Sequence, residues 1–476
     1  MNAAANAPGT QLAKATAWLA AGRYTNLLLQ FGVTVVLARL LQPADFGLLA
    51  MVVTVTGFLN VIAEGGLNAA VVQEKEAGQR EISTIFWMAV GVSLLLLAAT
   101  SMAAPALERF FRVAGLSPVL IAMSTSFVFI GIAAVSTGKA RRSLHFRAIA
   151  IAEVCAGAVA GAAALILAMR GAGVWALVGQ IVAYHALRAA LLLVLDGWFP
   201  SFVFDRATAR RASHVSRWIT GALLIGYWGG NVDRLLIGRI WGAVPLGFYS
   251  QAQRLAQLPT QLIAQIVIPA VQPVLRQVDD PAARARLFAR VFEAIALICL
   301  PCGVAAFLLA RELVLTVWGS AWEPSVPLFR ILAPLIVAQP LASMTTPVLL
   351  ARDRARTMFL LAVLNTIVYI AAVIAGTRWG TAGVAAAFTM AYCLVAFPLS
   401  VRAALAAVDA PASTLLAASW RPAVAATVTA AALYAMRPLP LTDLWRLGGG
   451  AIVTAIAVSA GVIHLRQAAN RFRPNL

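Results

Sequence analysis

Long apolar runs recur along almost the whole sequence, and they constrain the fold more than any other feature. Each run is about 18 to 27 residues long, enough for one helix to cross a hydrocarbon layer of about 30 Å. Charged, Gly and Pro positions separate the runs and divide the chain into predicted spans. The fourteen spans are 15–38, 46–72, 82–104, 117–137, 148–169, 174–196, 213–240, 246–272, 287–310, 325–349, 357–376, 380–401, 419–436 and 444–465. The sequence therefore predicts an all-α polytopic membrane protein.

The composition indicates that lipid is the main solvent of this chain. Hydrophobic residues make up 61% of the 476 residues and charged residues only 12%, whereas a water-facing surface needs more charge. The formal net charge of +19 would indicate nucleic-acid binding in a soluble protein. No compact basic segment with interleaved aromatic residues is present to form such a domain, so no nucleic-acid partner is expected.

Lys and Arg cluster in alternate predicted loops, as the positive-inside rule requires. The richest cluster is Lys139, Arg141, Arg142 and Arg147, whereas loops assigned to the opposite side carry one or two basic residues each. This pattern predicts that both termini lie in the cytoplasm. The first fourteen residues show no cleavage site after a short apolar stretch, so we expect no removable signal peptide.

Two segments 200 residues apart resemble each other, which indicates an internal repeat. Residues 38–48 (ARLLQPADFGL) align with residues 238–248 (GRIWGAVPLGF), and the alignment places Gly47 on Gly247. Short patterns of this kind also recur by chance at membrane boundaries. A true repeat has six spans per half, so both halves would insert in the same orientation around a central cavity. The predicted domains are a six-helix bundle at 1–200, a second at 201–405, and two further helices with a basic cytoplasmic tail at 406–476.

The eighth predicted span carries a polar stripe. At 100° per residue, six of its polar side chains fall within one arc of about 120°. They are Gln251, Arg254, Gln257, Gln261, Gln265 and Gln272. Amides suit sugar hydroxyls because they both donate and accept hydrogen bonds, and a guanidinium binds diphosphate oxygens in a bidentate manner. The stripe is predicted to line the cavity, and interhelical hydrogen bonding is the alternative.

Ten ionisable residues fall within predicted spans, where each is costly unless it faces water, protein or a partner. They are Arg23, Glu64, Glu153, Arg188, Arg217, Asp233, Arg234, Arg254, Arg290 and Glu293. Two of them, Arg188 and Arg290, lie near span ends, and we expect their side chains to reach the interface.

Several of these residues are candidates for transport. Arg23 and Arg217 occupy repeat-related spans, and with Arg254 they are predicted to form a cationic surface for a diphosphate. Asn231 is a further candidate for the cavity lining. Glu64 precedes two glycines where a helix loosens, and it is a candidate for proton or sodium coupling. Asp233 is a candidate for coupling or for neutralising charged neighbours.

No metal site, cofactor or catalytic group is expected. The four cysteines lie in apolar spans and are interpreted as packing residues, and the four histidines lack metal-ligand spacing. The sequence contains no G-x-x-x-x-G-K motif, so the chain itself is not expected to hydrolyse a nucleotide. We do not expect an enzyme.

Five segments resemble one family of membrane transporters. They are LARLLQPADFGLLAM (37–51), EGGLNAAVVQEKE (64–76), STIFWMAVGVSLLLLA (83–98), RRSLHFRA (141–148) and NVDRLLIGRIWGAVPLGFYSQAQRLAQLP (231–259). In these residues the chain is similar to the prokaryotic polysaccharide transporters, or Wzx-type flippases, of the multidrug/oligosaccharidyl-lipid/polysaccharide exporter superfamily. The resemblance covers most of the first 350 residues. Asn231, Asp233 and Arg254 occupy positions typical of that family, whereas Gly66 and Arg234 do not.

The resemblance implies two six-helix bundles plus two peripheral helices, and a flippase function. The implied cargo is a polyprenyl-diphosphate-linked oligosaccharide that crosses the inner membrane for lipopolysaccharide or exopolysaccharide synthesis. Membrane lipid, a polysaccharide polymerase and export machinery are the further partners it suggests. One alternative is a cation-coupled multidrug exporter of the same superfamily, which would favour acidic intramembrane residues. The other is a membrane-embedded polysaccharide polymerase or glycosyltransferase, which would need a large extracytoplasmic loop.

Overall fold

The structure is a computed structural model, and it describes residues 8–65, 78–143, 145–437 and 443–471. All regular structure in these ranges is helical, which confirms the predicted all-α class. The helices are α1 Pro8–Leu40, α2 Pro43–Gly65, α3 Gln79–Phe111, α4 Leu116–Ser124, α5 Ser126–Arg142, α6 Phe146–Met169, α7 Val174–Asp196, α8 Arg206–Gly229, α9 Val232–Trp241, α10 Ala243–Gln277, α11 Pro281–Leu308, α12 Ala310–Trp318, α13 Ser325–Leu332, α14 Leu335–Ser343, α15 Thr345–Ala351, α16 Ala355–Gly376, α17 Gly380–Ala391, α18 Phe397–Ala407, α19 Ser413–Met436 and α20 Asp443–Arg471. A π-helical turn at Tyr392–Ala396 joins α17 to α18.

Local sequence sets several helix ends. Asp280 precedes α11 and accepts hydrogen bonds from the backbone amides of Ala282 and Ala283, both at 3.0 Å. Pro281 follows it at the first helical position, where no amide hydrogen is needed. At the other end of a helix, Gly197 stops α7 with φ of 61°, a left-handed conformation that glycine adopts without a steric penalty.

Every predicted span falls on helix wherever its residues are described, but some spans are broken. The predicted span 325–349 is three short helices, and its first part bends by 43° against the rest. Pro334 lies at this bend, and proline lacks the amide hydrogen that would continue the helical ladder. The predicted span 213–240 is interrupted after Gly229, where α8 gives way to α9.

Seven helices among the described residues are long and apolar enough to cross a membrane, or eight if the bent pair counts as one span. One of the seven is the stretch Ala355–Ala407 of 53 residues, which contains two consecutive predicted spans. A multi-pass membrane protein is therefore confirmed. The count of fourteen spans stays a prediction.

The chain forms two compact units, Met1–Gly247 and Phe248–Leu476. In the first unit α6 packs on both α1 and α7. Small residues let these helices approach closely: a Cβ added to Gly157 of α6 would lie 2.4 Å from Asn26 Oδ1 on α1. The predicted domain boundaries at 200 and 405 stay predictions.

The second unit is built around α11. Phe288 and Phe292 of this helix pack in one buried cluster with Leu341 of α14, Val348 of α15 and Leu405 of α18. The last two helices belong to this unit: α19 packs along α11, and α20 contacts α11 and α12.

Ion pairs join the last two helices to the rest of the second unit. Arg421 of α19 donates to Glu293 Oε1 of α11 at 3.0 Å, and Arg446 of α20 lies 3.6 Å from Glu312 of α12. Glu293 is a predicted intramembrane acid whose partner the sequence reasoning did not identify.

Candidate functional site

The helix with the polar stripe, α10, starts at a very close crossing with α2. A Cβ added to Gly47 would lie 1.7 Å from the carbonyl oxygen of Ala243, and one added to Gly247 would lie 2.1 Å from that of Pro43. The two contacts are reciprocal, because the offset of 200 that aligns Gly47 with Gly247 also relates residues 43 and 243. A duplicated crossing would show this reciprocity, and the internal repeat itself stays a prediction.

The stripe on α10 is buried at one end and exposed further along. Gln251 is only 2% exposed, and its Oε1 is buried without a hydrogen-bond partner among the residues that the structure describes. Arg254, one turn further along, is exposed. Gln257 and Gln261, on the following turns, are half-buried and exposed respectively. The side chain of Gln265 lies outside the described residues.

This arrangement offers polar groups of two kinds along one helix. The guanidinium of Arg254 suits a phosphate oxygen pair, and the amides of Gln257 and Gln261 suit sugar hydroxyls. A buried amide oxygen with no partner in the described part of the chain, such as that of Gln251, is costly unless water or a ligand satisfies it. The stripe is therefore chemically able to hold a polar, anionic headgroup.

Asn231 lies at the break between α8 and α9, and its amide is engaged locally. Its Nδ2 donates to the carbonyl oxygen of Tyr227 at 2.9 Å, and its Oδ1 accepts from Arg234 Nη1 at 3.3 Å. Asp233 is 1% exposed and accepts a hydrogen bond from the backbone amide of Arg234 at 2.9 Å. The predicted transport roles of Asn231 and Asp233 stay predictions.

The other predicted site residues are placed less fully. Arg23 is exposed on α1 in the first unit, whereas Arg254 belongs to the second unit. Arg217 lies on α8 and Glu64 near the end of α2, but the side chains of both are outside the described residues. The cationic surface and the coupling acid therefore stay predictions.

A second polar stripe, on α1, was missed by the sequence reasoning. Asn26 and Gln30 follow Arg23 at spacings of three and seven, so all three lie on one face of the helix. Gln30 Oε1 accepts from Gln180 Nε2 of α7 at 2.8 Å, and Asn26 Oδ1 is buried without a partner among the described residues. The same angular test that identified the α10 stripe would have found this one.

The expectation that Arg188 reaches the membrane interface is wrong. Its side chain is 14% exposed and its Nη2 lies 3.7 Å from Glu153 Oε1 on α6. An internal carboxylate offers this guanidinium a partner within the bundle, so it need not extend towards water. Arg290, by contrast, is exposed, and its place at the interface stays a prediction.

Comparison with known proteins identifies the family. Residues 36–327 match the family model described as "Polysaccharide biosynthesis protein". The chain is 23% identical over 363 residues to the lipopolysaccharide biosynthesis protein WzxC of Escherichia coli K12, covering 75% of this chain and 73% of WzxC. It is 24% identical over 327 residues to the succinoglycan biosynthesis transport protein ExoT of Rhizobium meliloti, covering 66% of this chain and 64% of ExoT.

Solved structures share the fold. The lipid II flippase MurJ in its inward closed conformation superposes with a TM-score of 0.77 at 13% identity, over 95% of this chain and 99% of MurJ. An inward-facing multidrug resistance transporter of the MATE family superposes with a TM-score of 0.59 at 14% identity, over 84% of this chain and 95% of that one. The resemblance to Wzx-type flippases is thus confirmed, and the chain belongs to the polysaccharide biosynthesis protein family.

Proposed function

We propose that this protein is a flippase that carries a polyprenyl-diphosphate-linked oligosaccharide across the inner membrane during lipopolysaccharide or exopolysaccharide synthesis. One observation carries the proposal: a chain of the polysaccharide biosynthesis protein family has, over 95% of its length, the fold of a lipid II flippase. Both termini are proposed to face the cytoplasm, following the distribution of basic loops.

The central difficulty of such transport is the headgroup, because a diphosphate and a glycan are costly to place in hydrocarbon. In our proposal the lipid tail stays in the bilayer while the headgroup moves along the polar stripe of α10. Arg254 binds the diphosphate through charge-assisted hydrogen bonds. The amides of Gln251, Gln257 and Gln261 then replace water as partners of the sugar hydroxyls.

Two further sets of residues complete the proposal. Arg23 and Arg217 are proposed to receive the diphosphate near the cytoplasmic side. Glu64 or Asp233 is proposed to couple movement to a proton or sodium ion, because an acidic residue within a membrane span, such as Asp233 at 1% exposure, is typical of an ion pathway.

The fold alone does not separate a flippase from a multidrug exporter, since MATE transporters share it. The family match favours the polysaccharide branch. So does the predominance of arginine over acidic residues in the predicted spans, because an anionic cargo needs cationic partners.

Complementation of surface-polysaccharide synthesis in a strain that lacks this gene tests the proposal. Arg254→Ala is expected to abolish complementation at an unchanged level of membrane-inserted protein, and Arg254→Lys to restore part of it, since a lysine keeps the charge but loses the bidentate geometry. Arg276→Ala is the matched control: it removes an exposed arginine near the end of the same helix, 3.2 Å from Asp353. Full polysaccharide synthesis with Arg254→Ala would remove this residue from the mechanism.

A further inference from the structure

The first unit contains a cleft of about 830 Å³ that the proposed transport path does not use. The end of α5, the start of α6, the end of α7 and the start of α3 form its walls. Both α6 and α7 belong to the helices able to cross a membrane. Because their ends form the cleft, we expect it to lie at the level where a membrane meets water.

The rim of the cleft is strongly basic. Lys139, Arg142 and Arg147 all line it, and both arginines are exposed. Asp196 is the carboxylate among the lining residues, and its Oδ2 accepts from Lys139 Nζ at 2.9 Å. The lining residues thus include three cationic side chains and one carboxylate.

The wall of the cleft is apolar. Ile82, Ile151, Leu192 and Leu195 line it, and Ile151 and Leu195 remain 36% and 47% exposed. A site with a basic rim above exposed aliphatic side chains fits a ligand that is anionic at one end and hydrocarbon at the other.

Two tryptophans lie beside the basic residues at the rim of the cleft. The guanidinium of Arg147 lies 5.4 Å from the ring centre of Trp18, and Lys139 Nζ lies 5.1 Å from that of Trp198. Tryptophan concentrates at membrane–water interfaces, where its ring lies among lipid headgroups. These cation–π contacts also hold the two basic side chains at the rim.

We propose that this cleft binds the phosphate headgroup of an anionic phospholipid from the leaflet that it faces. Arg142 and Arg147 bind the phosphate oxygens, Lys139 adds a third positive charge, and the acyl chains lie along Ile151 and Leu195. The lipid is a bound component of the first unit, separate from the transported cargo. This proposal goes beyond the flippase function and does not depend on it.

Native mass spectrometry of the purified, delipidated full-length chain tests the proposal by adding back phosphatidylglycerol or phosphatidylcholine. Wild-type protein is expected to bind phosphatidylglycerol at least tenfold more tightly than phosphatidylcholine. The double variant Arg142→Gln/Arg147→Gln is expected to lose roughly fivefold in affinity for each arginine removed. The control Arg206→Gln/Arg210→Gln removes two exposed arginines at the start of α8 and is expected to bind like wild type.

A second variant separates shape from charge. Ala148 lines the cleft, so Ala148→Trp fills it without changing the net charge, and the selective binding of phosphatidylglycerol is expected to be lost. Equal binding of the two phospholipids, or unchanged binding in both cleft variants, would overturn the proposal.

The other sources of a phosphate group are distinguished in the same experiment. Polyprenyl diphosphate is expected not to displace phosphatidylglycerol, and displacement that the cleft variants abolish would instead assign the cleft to the transported lipid. Displacement by millimolar inorganic phosphate would make it a site for free anions. Lipid binding is read without transport, so a failure here is distinct from a failure of the flippase proposal.

Discussion

Gly47 of α2 and Gly247 of α10 lie at one crossing where neither position has room for a side chain. Each glycine faces the backbone at the start of the other's helix, with distances of 1.7 and 2.1 Å from an added Cβ to a carbonyl oxygen. The crossing thus requires glycine at both positions that the repeat alignment superposes. It also fixes where α10, the helix that carries the proposed binding stripe, begins.

Replacing either glycine with alanine is expected to destabilise the protein. The new methyl group would collide with a backbone carbonyl that cannot move as a side chain does, and overpacking of this kind costs about 1 to 3 kcal/mol. Thermal unfolding of purified protein in detergent measures the effect for Gly47→Ala and Gly247→Ala. The matched control is Gly32→Ala on α1, where an added Cβ has nothing within 4 Å.

The double variant Gly47→Ala/Gly247→Ala tests the crossing itself. If both methyl groups push the same two helices apart, the second substitution lowers the stability less in the double variant than it does alone. The two losses of stability then do not add. Simple additivity of the two losses would show that the glycines act independently.

Removing one partner of the Glu293–Arg421 pair is expected to lower the stability of the protein more than removing both partners. Arg421→Met leaves the carboxylate of Glu293, whose side chain is 10% exposed, without its cation, at a cost of roughly 2 to 4 kcal/mol. Glu293→Gln/Arg421→Met removes both charges and is expected to recover much of that loss. Melting temperatures of the two variants in detergent give the comparison.

The exposed pair Arg311–Glu323 provides the control for this experiment. Both side chains are 56% exposed, so Arg311→Met is expected to change stability by less than about 1 kcal/mol. A loss from Arg421→Met no larger than this would contradict a structural role for the buried pair.

The start of α8 is expected to respond to acid. A hydrogen bond from the Thr208 hydroxyl, at 2.6 Å, and one from its backbone amide, at 2.8 Å, hold the pKa of Asp205 below its ordinary value, because they favour the carboxylate. A lowered folded-state pKa adds stability above the unfolded value of about 4, and this stability is lost as pH falls through the folded value.

Thr208→Val tests this dependence. Without the hydroxyl, the pKa of Asp205 rises towards its ordinary value, so the variant is expected to be less stable than wild type at about pH 6. The difference is expected to shrink as pH falls through the lowered folded-state pKa of Asp205, because protonation removes the carboxylate that the hydroxyl stabilises. A difference in melting temperature that stays constant over this range would exclude Asp205 as its cause.

The sequence predicted the helices well because hydropathy and helical periodicity are local properties. The stripe of Gln257 and Gln261 followed from angular spacing alone, and the stripe of Arg23, Asn26 and Gln30 was open to the same test. Helix breaks were less predictable, since apolar residues continue on both sides of the gap after Gly229 and the local signal is only the pair Gly229-Gly230.

Pairing between distant helices was not predictable from one sequence. Glu153 and Glu293 were recognised as intramembrane acids, but their partners Arg188 and Arg421 lie 35 and 128 positions away along the chain. Only the packing of α6 on α7, and of α11 on α19, brings these charges together.

The most direct test of the central claim measures the leaflet in which the lipid-linked oligosaccharide lies. In cells depleted of this protein, lipid-linked oligosaccharide is expected to accumulate out of reach of a membrane-impermeant glycan-binding probe added to spheroplasts. Wild-type protein is expected to restore access, whereas Arg254→Ala at equal protein level is not. Probe access that is the same with and without the protein would contradict the account.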